Sequence, residues 1–251
     1  MPELPEIKIY AENLDRMLFS GTIDDLRSFS GEDFSSLVGR TLAHVVPYGK
    51  GLYFELRGGG NIYVHLMLTG KVSFVTRDEY ALVKDKIFAL KTFGKYLIVS
   101  DENHYAKVEK NRARPPVPQV GGEGYTLEYF LSLLDTRSSI KNVLTDQTKI
   151  AGLGNAYADE ILYAAKVHPF SVCRKLPLEA AKRVYIASKE VTDFAVEYLR
   201  GAHPDMISGE DRSFFGVHIP GAKQTKKGEK ITAAVKSGRK TYFAEGQELY
   251  E

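Results

Sequence analysis

The first six residues, Met-Pro-Glu-Leu-Pro-Glu, bring a latent secondary amine and two carboxylates within about one helical turn. A Met followed by a small residue such as Pro is ordinarily trimmed. That leaves the Pro2 nitrogen as an α-amino group with an ordinary pKa of about 7.7–8.0. A useful fraction of such an amine is a free nucleophile near neutral pH and can attack a sugar C1′ to form a Schiff base. Glu3 and Glu6 follow at once as candidate proton carriers. The same residues also suit a plain helix start, with proline setting the backbone and acids facing the positive helix end.

Two further stretches carry candidate chemistry. The run from Lys141 to Phe170 reads as a helix ending near Gly152, a tight Gly152-Leu153-Gly154 turn, and a second helix opened by Asn155. The small residues let backbone N–H groups approach an anion, and the second helix points its positive end there, so this is a phosphate site in outline. An ordinary helix–turn–helix connection uses the same glycines. From Gly221 to Lys240 there are seven bases (Lys223, Lys226, Lys227, Lys230, Lys236, Arg239 and Lys240) against the single acid Glu229. Arg239 lies at the turn of a hairpin, where a fork of donors suits a groove or a phosphate; a solvated tail is the bland alternative.

These residues need a scaffold. Leu4, Ile7, Leu14 and Leu18 recur at helical spacing, so the N-terminus leads into an amphipathic helix. Between Thr41 and about Val99 come short runs rich in Val, Ile, Tyr and Phe, separated by Gly-rich turns, which is the pattern of a β-sandwich or barrel. Residues 112–124 are dense in Pro and Gly and read as a linker. Tyr125 to about Arg200 is helical in period, and ITAAVK-SG-RKTYFA reads as a β-hairpin. The expected division is 1–111, 112–124, 125–214 and 215–251.

Composition narrows the class. With 251 residues, 43% of them hydrophobic, the chain can bury one large core or two modest ones. The single cysteine, Cys173, excludes a disulfide framework and a Cys-only metal site in a monomer, and it suits a reducing compartment. No apolar run approaches the ~20 residues of a membrane helix, and the acidic N-terminus is unlike a signal peptide. A net charge of +2 leaves polyanion binding to local clusters.

Taken in order, PELPE (2–6), DQTKIAGLGNAYADEILYAAKVHP (146–169) and SGRKTYFAEGQ (237–247) resemble the formamidopyrimidine-DNA glycosylase and endonuclease VIII family, and the likeness covers nearly the whole chain. The resemblance implies an α+β multidomain fold. A leading helix and N-terminal β-sandwich are followed by a helix-two-turn-helix domain ending in a β-hairpin finger. It implies a bifunctional glycosylase and abasic-site lyase of base excision repair, with an imine at Pro2 and β,δ-elimination, favouring formamidopyrimidine-type purine lesions. An endonuclease VIII-like enzyme for oxidised pyrimidines and a non-catalytic damaged-DNA-binding protein remain as alternatives; an RNA-binding structural protein would lack PELPE and the β-domain. The implied roles fall on Pro2, Glu3 and Lys50 as catalytic residues, the last within GKGLYFEL (49–56). Leu68, within HLMLTG (65–70), is the wedge; Asn155, Gly154 and Arg239 grip DNA; Glu6 belongs to the lesion pocket.

The chain departs from the family pattern in three places. At 101–105, Asn103 and Tyr105 stand where purine-specific members carry Arg and Phe as void-filling side chains. Where zinc-bearing members carry two CxxC pairs, this chain has Gln224, Lys227, Ala244 and Gln247, so the finger is expected to be zincless and held by Ile231, Val235, Tyr242 and Phe243. The stretch 201–216 is short for a loop covering 8-oxoguanine. The expected partner is double-stranded DNA containing oxidised bases or abasic sites. No cofactor, metal or membrane is expected, and the protein is expected to be a monomer that is cytoplasmic and nucleoid-associated in a bacterium, or nuclear otherwise.

Overall fold

The computed structural model spans residues 1–251 and describes all of them except Ser237 and the side chains of Lys236 and Arg239. It divides into two compact units: Met1–Pro115 with Leu199–Glu210, and Pro116–Tyr198 with Asp211–Glu251.

The first unit begins with α1 (Leu4–Leu18), capped by Glu3 and carrying proline in its first turn, and its apolar face from Leu4 to Leu18 is fully buried. Then come β1 (Asp25–Ser28), β2 (Leu42–Tyr48), β3 (Gly51–Leu56), β4 (Asn61–His65), β5 (Lys71–Val75), the single turn α2 (Arg77–Tyr80), β6 (Lys86–Thr92), β7 (Lys95–Ser100) and β8 (Lys107–Lys110). They form two antiparallel four-stranded sheets, ordered β1-β6-β7-β5 and β2-β3-β4-β8. Alternate residues of both sheets, such as Phe54 and Val64 on one and Phe88 and Val99 on the other, join the α1 face in a single core.

The second unit contains α3 (Leu127–Ser132), α4 (Ile140–Thr145), α5 (Asn155–Ala164), most of α6 (Leu178–Ala202), and the hairpin β9 (Ile231–Lys236) with β10 (Arg239–Ala244). The two hairpin strands pair from Lys236 opposite Arg239 to Ile231 opposite Ala244. Thr126 and Ser139 cap α3 and α4 with their side-chain oxygens. Among the described residues no helix is long and apolar enough to cross a membrane.

The structure corrects the expected layout in three respects. Residues 199–210 belong with the first unit, because Asn13 Nδ2 donates to Met206 O (2.8 Å), Arg16 pairs with Asp205 (2.8 Å) and the Tyr10 hydroxyl donates to Gly209 O. Residues 215–251 are not a separate domain but part of the helical unit, tied to α5 by buried polar contacts described below. The helix expected to run to Gly152 stops at Thr145. There the chain turns extended at Asp146, whose carboxylate takes the Thr148 N–H and hydroxyl, a local bond that competes with helix continuation.

Candidate active site

Pro2 is buried and lines a cavity of about 260 Å³ that also exposes Tyr10, Leu68, Thr69, Lys71, Glu102 and Glu210, all of the first unit. The ammonium of Met1 sits 2.6 Å from the Glu210 carboxylate, so an acid is already held beside the N-terminus. A cavity carrying one ammonium and two carboxylates beside an imino-acid nitrogen can receive and return protons at a substrate.

Both acids of PELPE serve the start of α1, and neither lines the cavity. Glu3 is 3% exposed at the N-cap of α1, and Glu6, wholly buried, reaches back so that its Oε2 accepts the Glu3 N–H at 3.0 Å. Glu6 was expected in the lesion pocket, but it is not among the residues lining the cavity. Its carboxylate takes part in the capping box at the start of the helix.

Lys50 occupies the two-residue loop between β2 and β3, where Gly49 supplies the positive φ (60°) that a tight hairpin requires at its first central position. The next residue, Gly51, pairs with His65, and a Cβ there would lie 2.2 Å from the Tyr63 ring, so only glycine lets β3 pass. Burial, and then the nearby Lys50 ammonium, hold the His65 imidazole down at about 4. Its unprotonated Nδ1 accepts the Met67 N–H at 3.1 Å. Lys50, though half-buried, is not a lining residue of the Pro2 cavity.

Leu68 is 64% exposed on a five-residue loop between β4 and β5, lifted by Met67 in the left-handed region (φ 52°). Gly70 closes this loop, donating to Leu66 O at 2.9 Å. Asn103 and Tyr105, the latter 56% exposed, lie on the loop from Asp101 to Ala106 between β7 and β8.

In the second unit, Asn155 opens α5 as expected, with Gly154 at its N-cap. Its Nδ2 donates to Lys240 O at 2.6 Å, while its buried Oδ1 has no partner. Gly152 (φ 101°) does turn the chain, but its N–H is consumed by Gln147 Oε1 at 3.0 Å and does not point to an outside anion. The Arg239 side chain lies outside the described residues; its backbone opens β10.

The contacts that seat the hairpin were not read from the sequence in full. Ile231, Tyr242 and Ala244 pack with Val217, and Phe243 meets His168 edge-to-face with ring centroids 4.3 Å apart, but Val235 is 72% exposed and contributes nothing to that core. By alternation Val235 shares the face of Ile231, but it pairs with Lys240 close to the turn, beyond the part of the hairpin that packs on Val217. The larger omission is polar. Asp159 of α5, wholly buried, lies 2.6 Å from Lys141 Nζ and 2.8 Å from His218 Nδ1, and its Oδ2 accepts the Tyr242 N–H at 3.0 Å. The Lys141 ammonium also donates to Thr241 Oγ1 at 2.9 Å. Glu160 accepts the N–H groups of Gly216, Val217 and His218; burial pushes its carboxyl up in spite of them. Gln247, one of the four positions opposite the zinc ligands of relatives, accepts from Ala244 N and donates to Val167 O. Among the described residues no three His, Cys, Asp or Glu side chains are grouped to hold a metal.

Comparison with known proteins follows this layout. Residues 1–108 match the model described as the formamidopyrimidine-DNA glycosylase N-terminal domain, and residues 121–204 match the formamidopyrimidine-DNA glycosylase H2TH domain. A formamidopyrimidine-DNA glycosylase of Arabidopsis thaliana is 30% identical, the alignment covering 100% of this chain and 72% of that protein. One from Solibacter usitatus is 29% identical over 86% of this chain and 84% of that one. In fold, the chain is similar to the Lactococcus lactis Fpg in its complex with abasic-site DNA, with a TM-score of 0.86, 23% identity, and 96% and 97% of the two chains covered.

Proposed function

Because this chain belongs to the formamidopyrimidine-DNA glycosylase family, we propose that it is a base-excision-repair DNA glycosylase and abasic-site lyase whose nucleophile is the Pro2 nitrogen. The observation that carries the assignment is Pro2 lining a cavity together with the exposed tip of Leu68. A nucleotide turned out of the stack needs both a nucleophile and something to fill the vacated space.

Trimming of Met1 frees the Pro2 amine. With the damaged nucleotide extruded, that nitrogen attacks C1′ as the glycosidic bond breaks and the base leaves. Glu3 delivers and removes protons at the sugar, and Lys50 stabilises negative charge on the strand. The resulting iminium acidifies the C2′ proton; its removal expels the 3′ phosphate, a further elimination expels the 5′ phosphate, and water releases Pro2. Leu68 fills the gap in the stack, flanked by Asn103 and Tyr105. Asn155, Gly154 and Arg239 of the second unit, a helix-two-turn-helix domain with a zincless finger, bind phosphates and so carry no sequence information. The protein works as a monomer on double-stranded DNA, in the nucleoid or nucleus, without a cofactor.

Borohydride added during turnover should trap a covalent protein–DNA adduct through Pro2. No adduct with the mature protein, or an adduct that survives Pro2→Gly and maps elsewhere, contradicts the assignment. On a panel of oligonucleotides, faster release of a formamidopyrimidine than of an oxidised pyrimidine supports the purine class. The reverse order selects the endonuclease VIII-like alternative.

A further inference from the structure

The two loops that carry Leu68 and Tyr105 each pass from one sheet of the first unit to the other: β4 to β5, and β7 to β8. Each lifts its exposed side chain from a left-handed, non-glycine residue, Met67 (φ 52°) in one and His104 (φ 55°) in the other. Such backbone persists only where its surroundings over-determine it. Asp101, 2% exposed, supplies that constraint. Its Oδ2 accepts the N–H groups of Tyr105 (2.8 Å) and Ala106 (2.7 Å), and its Oδ1 accepts the Asn103 N–H (3.1 Å) and the Thr69 hydroxyl of the other loop. The same Thr69 oxygen accepts from Asn103 Nδ2 at 3.0 Å, which closes the ring. Burial alone would raise the Asp101 carboxyl, but these donors hold it below the ordinary carboxylate range, so the acceptor is charged and its bonds are the stronger kind.

We propose that Asp101, through Thr69, is a positioning residue that locks the Leu68 and Tyr105 loops into one rigid unit, so that the two side chains enter the duplex together. Asp101 touches no substrate on this account. It removes the entropy that ordering two mobile tips would otherwise cost at the moment of extrusion. The proposal rests on the reading of Leu68 as the wedge, and its test is therefore made independent of chemistry.

A 2-aminopurine placed beside a paired lesion brightens when the neighbouring base leaves the stack, whether or not a bond is cut. Thr69→Val keeps the shape of the side chain and deletes the hydroxyl that joins the loops; Thr69→Ser retains it. Thr69→Val and Asp101→Asn should each slow the fluorescence rise on a paired lesion by about tenfold, the value of one lost charge-assisted hydrogen bond, and by much less on an unpaired abasic site. Thr69→Ser should restore the rate, and Leu68→Ala should add little in the Thr69→Val background. Equal losses on both substrates, a Thr69→Ser variant as slow as Thr69→Val, or independent multiplication of the Leu68→Ala and Thr69→Val effects would overturn the proposal. Borohydride trapping of the same variants reports separately on Pro2, so failure of the lyase reading leaves this result standing.

Discussion

Replacing Asp159 with asparagine removes the buried carboxylate that faces Lys141 in the second unit while keeping nearly the same volume. The Lys141 side chain is 5% exposed and Asp159 is fully buried, with the ammonium 2.6 Å from the carboxylate. Deleting one member of a buried pair leaves the other charge without compensation, at a cost of about 3–5 kcal/mol. For a chain of this length each kcal/mol shifts Tm by about 2–4 °C, which gives a fall of roughly 6–20 °C. The effect should be largest where the hairpin meets α5, because Asp159 also accepts the Tyr242 N–H and the His218 ring bond. Calorimetry gives the Tm, and hydrogen exchange at the Tyr242 amide locates the loss. Adding Lys141→Met to Asp159→Asn removes the stranded cation and should recover part of the Tm. A fall under about 2 °C for Asp159→Asn, or a double variant as unstable as the two single losses combined, would refute the claim that this pair holds the hairpin.

Other outcomes follow from the same geometry. His65 titrates near 4 when folded and near 6.5 when unfolded, so the unfolded chain binds more protons between those values. Stability should therefore be full above about pH 6.5 and decline toward pH 4 by an amount on the order of 3 kcal/mol, as denaturant titrations at a series of pH values will show. Because the Lys50 charge is part of the cause, Lys50→Gln should move the His65 midpoint upward in an NMR titration. Gly70→Ala places a Cβ 2.3 Å from the Leu66 carbonyl, a backbone atom that cannot give way, and should cost about 1–3 kcal/mol in denaturant stability. Arg239→Ala should weaken binding to every duplex alike and flatten the dependence of log affinity on log salt by about 0.9, measured by anisotropy across salt concentrations.

Much of the architecture was legible in local pattern. Helical spacing from Leu4 to Leu18, alternating β-formers between Gly51 and Ser100, and the short Gly-bearing break between Lys236 and Arg239 each specify an element from residues close in sequence, because propensity and amphipathic period are local properties. Strand β1 and the short β8 escaped notice, since four residues carry too little pattern. The PELPE acids were visible as residues but not as roles. Glu3 and Glu6 could serve in the sequence as proton carriers or as helix-capping acids, and the fold engages both side chains in the capping box of α1 while Pro2 lines the cavity.

Tertiary structure alone decided the pairings between residues far apart in the chain. Glu210 lies beside the N-terminus, Lys141 and His218 converge on Asp159, and Thr69 meets Asp101 because the chain path closes these loops in space; no spacing rule encodes such contacts. The same holds for burial. Val235 and Ile231 are β-branched residues on the same face of one strand, yet one is 72% exposed and the other 9%, because only the end of the hairpin away from its turn packs against Val217. The sequence by itself determined which elements form and which side chains could react, since those follow from short-range propensity and intrinsic chemistry. The environment that selects among those side chains, through burial, charge and strain, was set by where the folded chain brings them together.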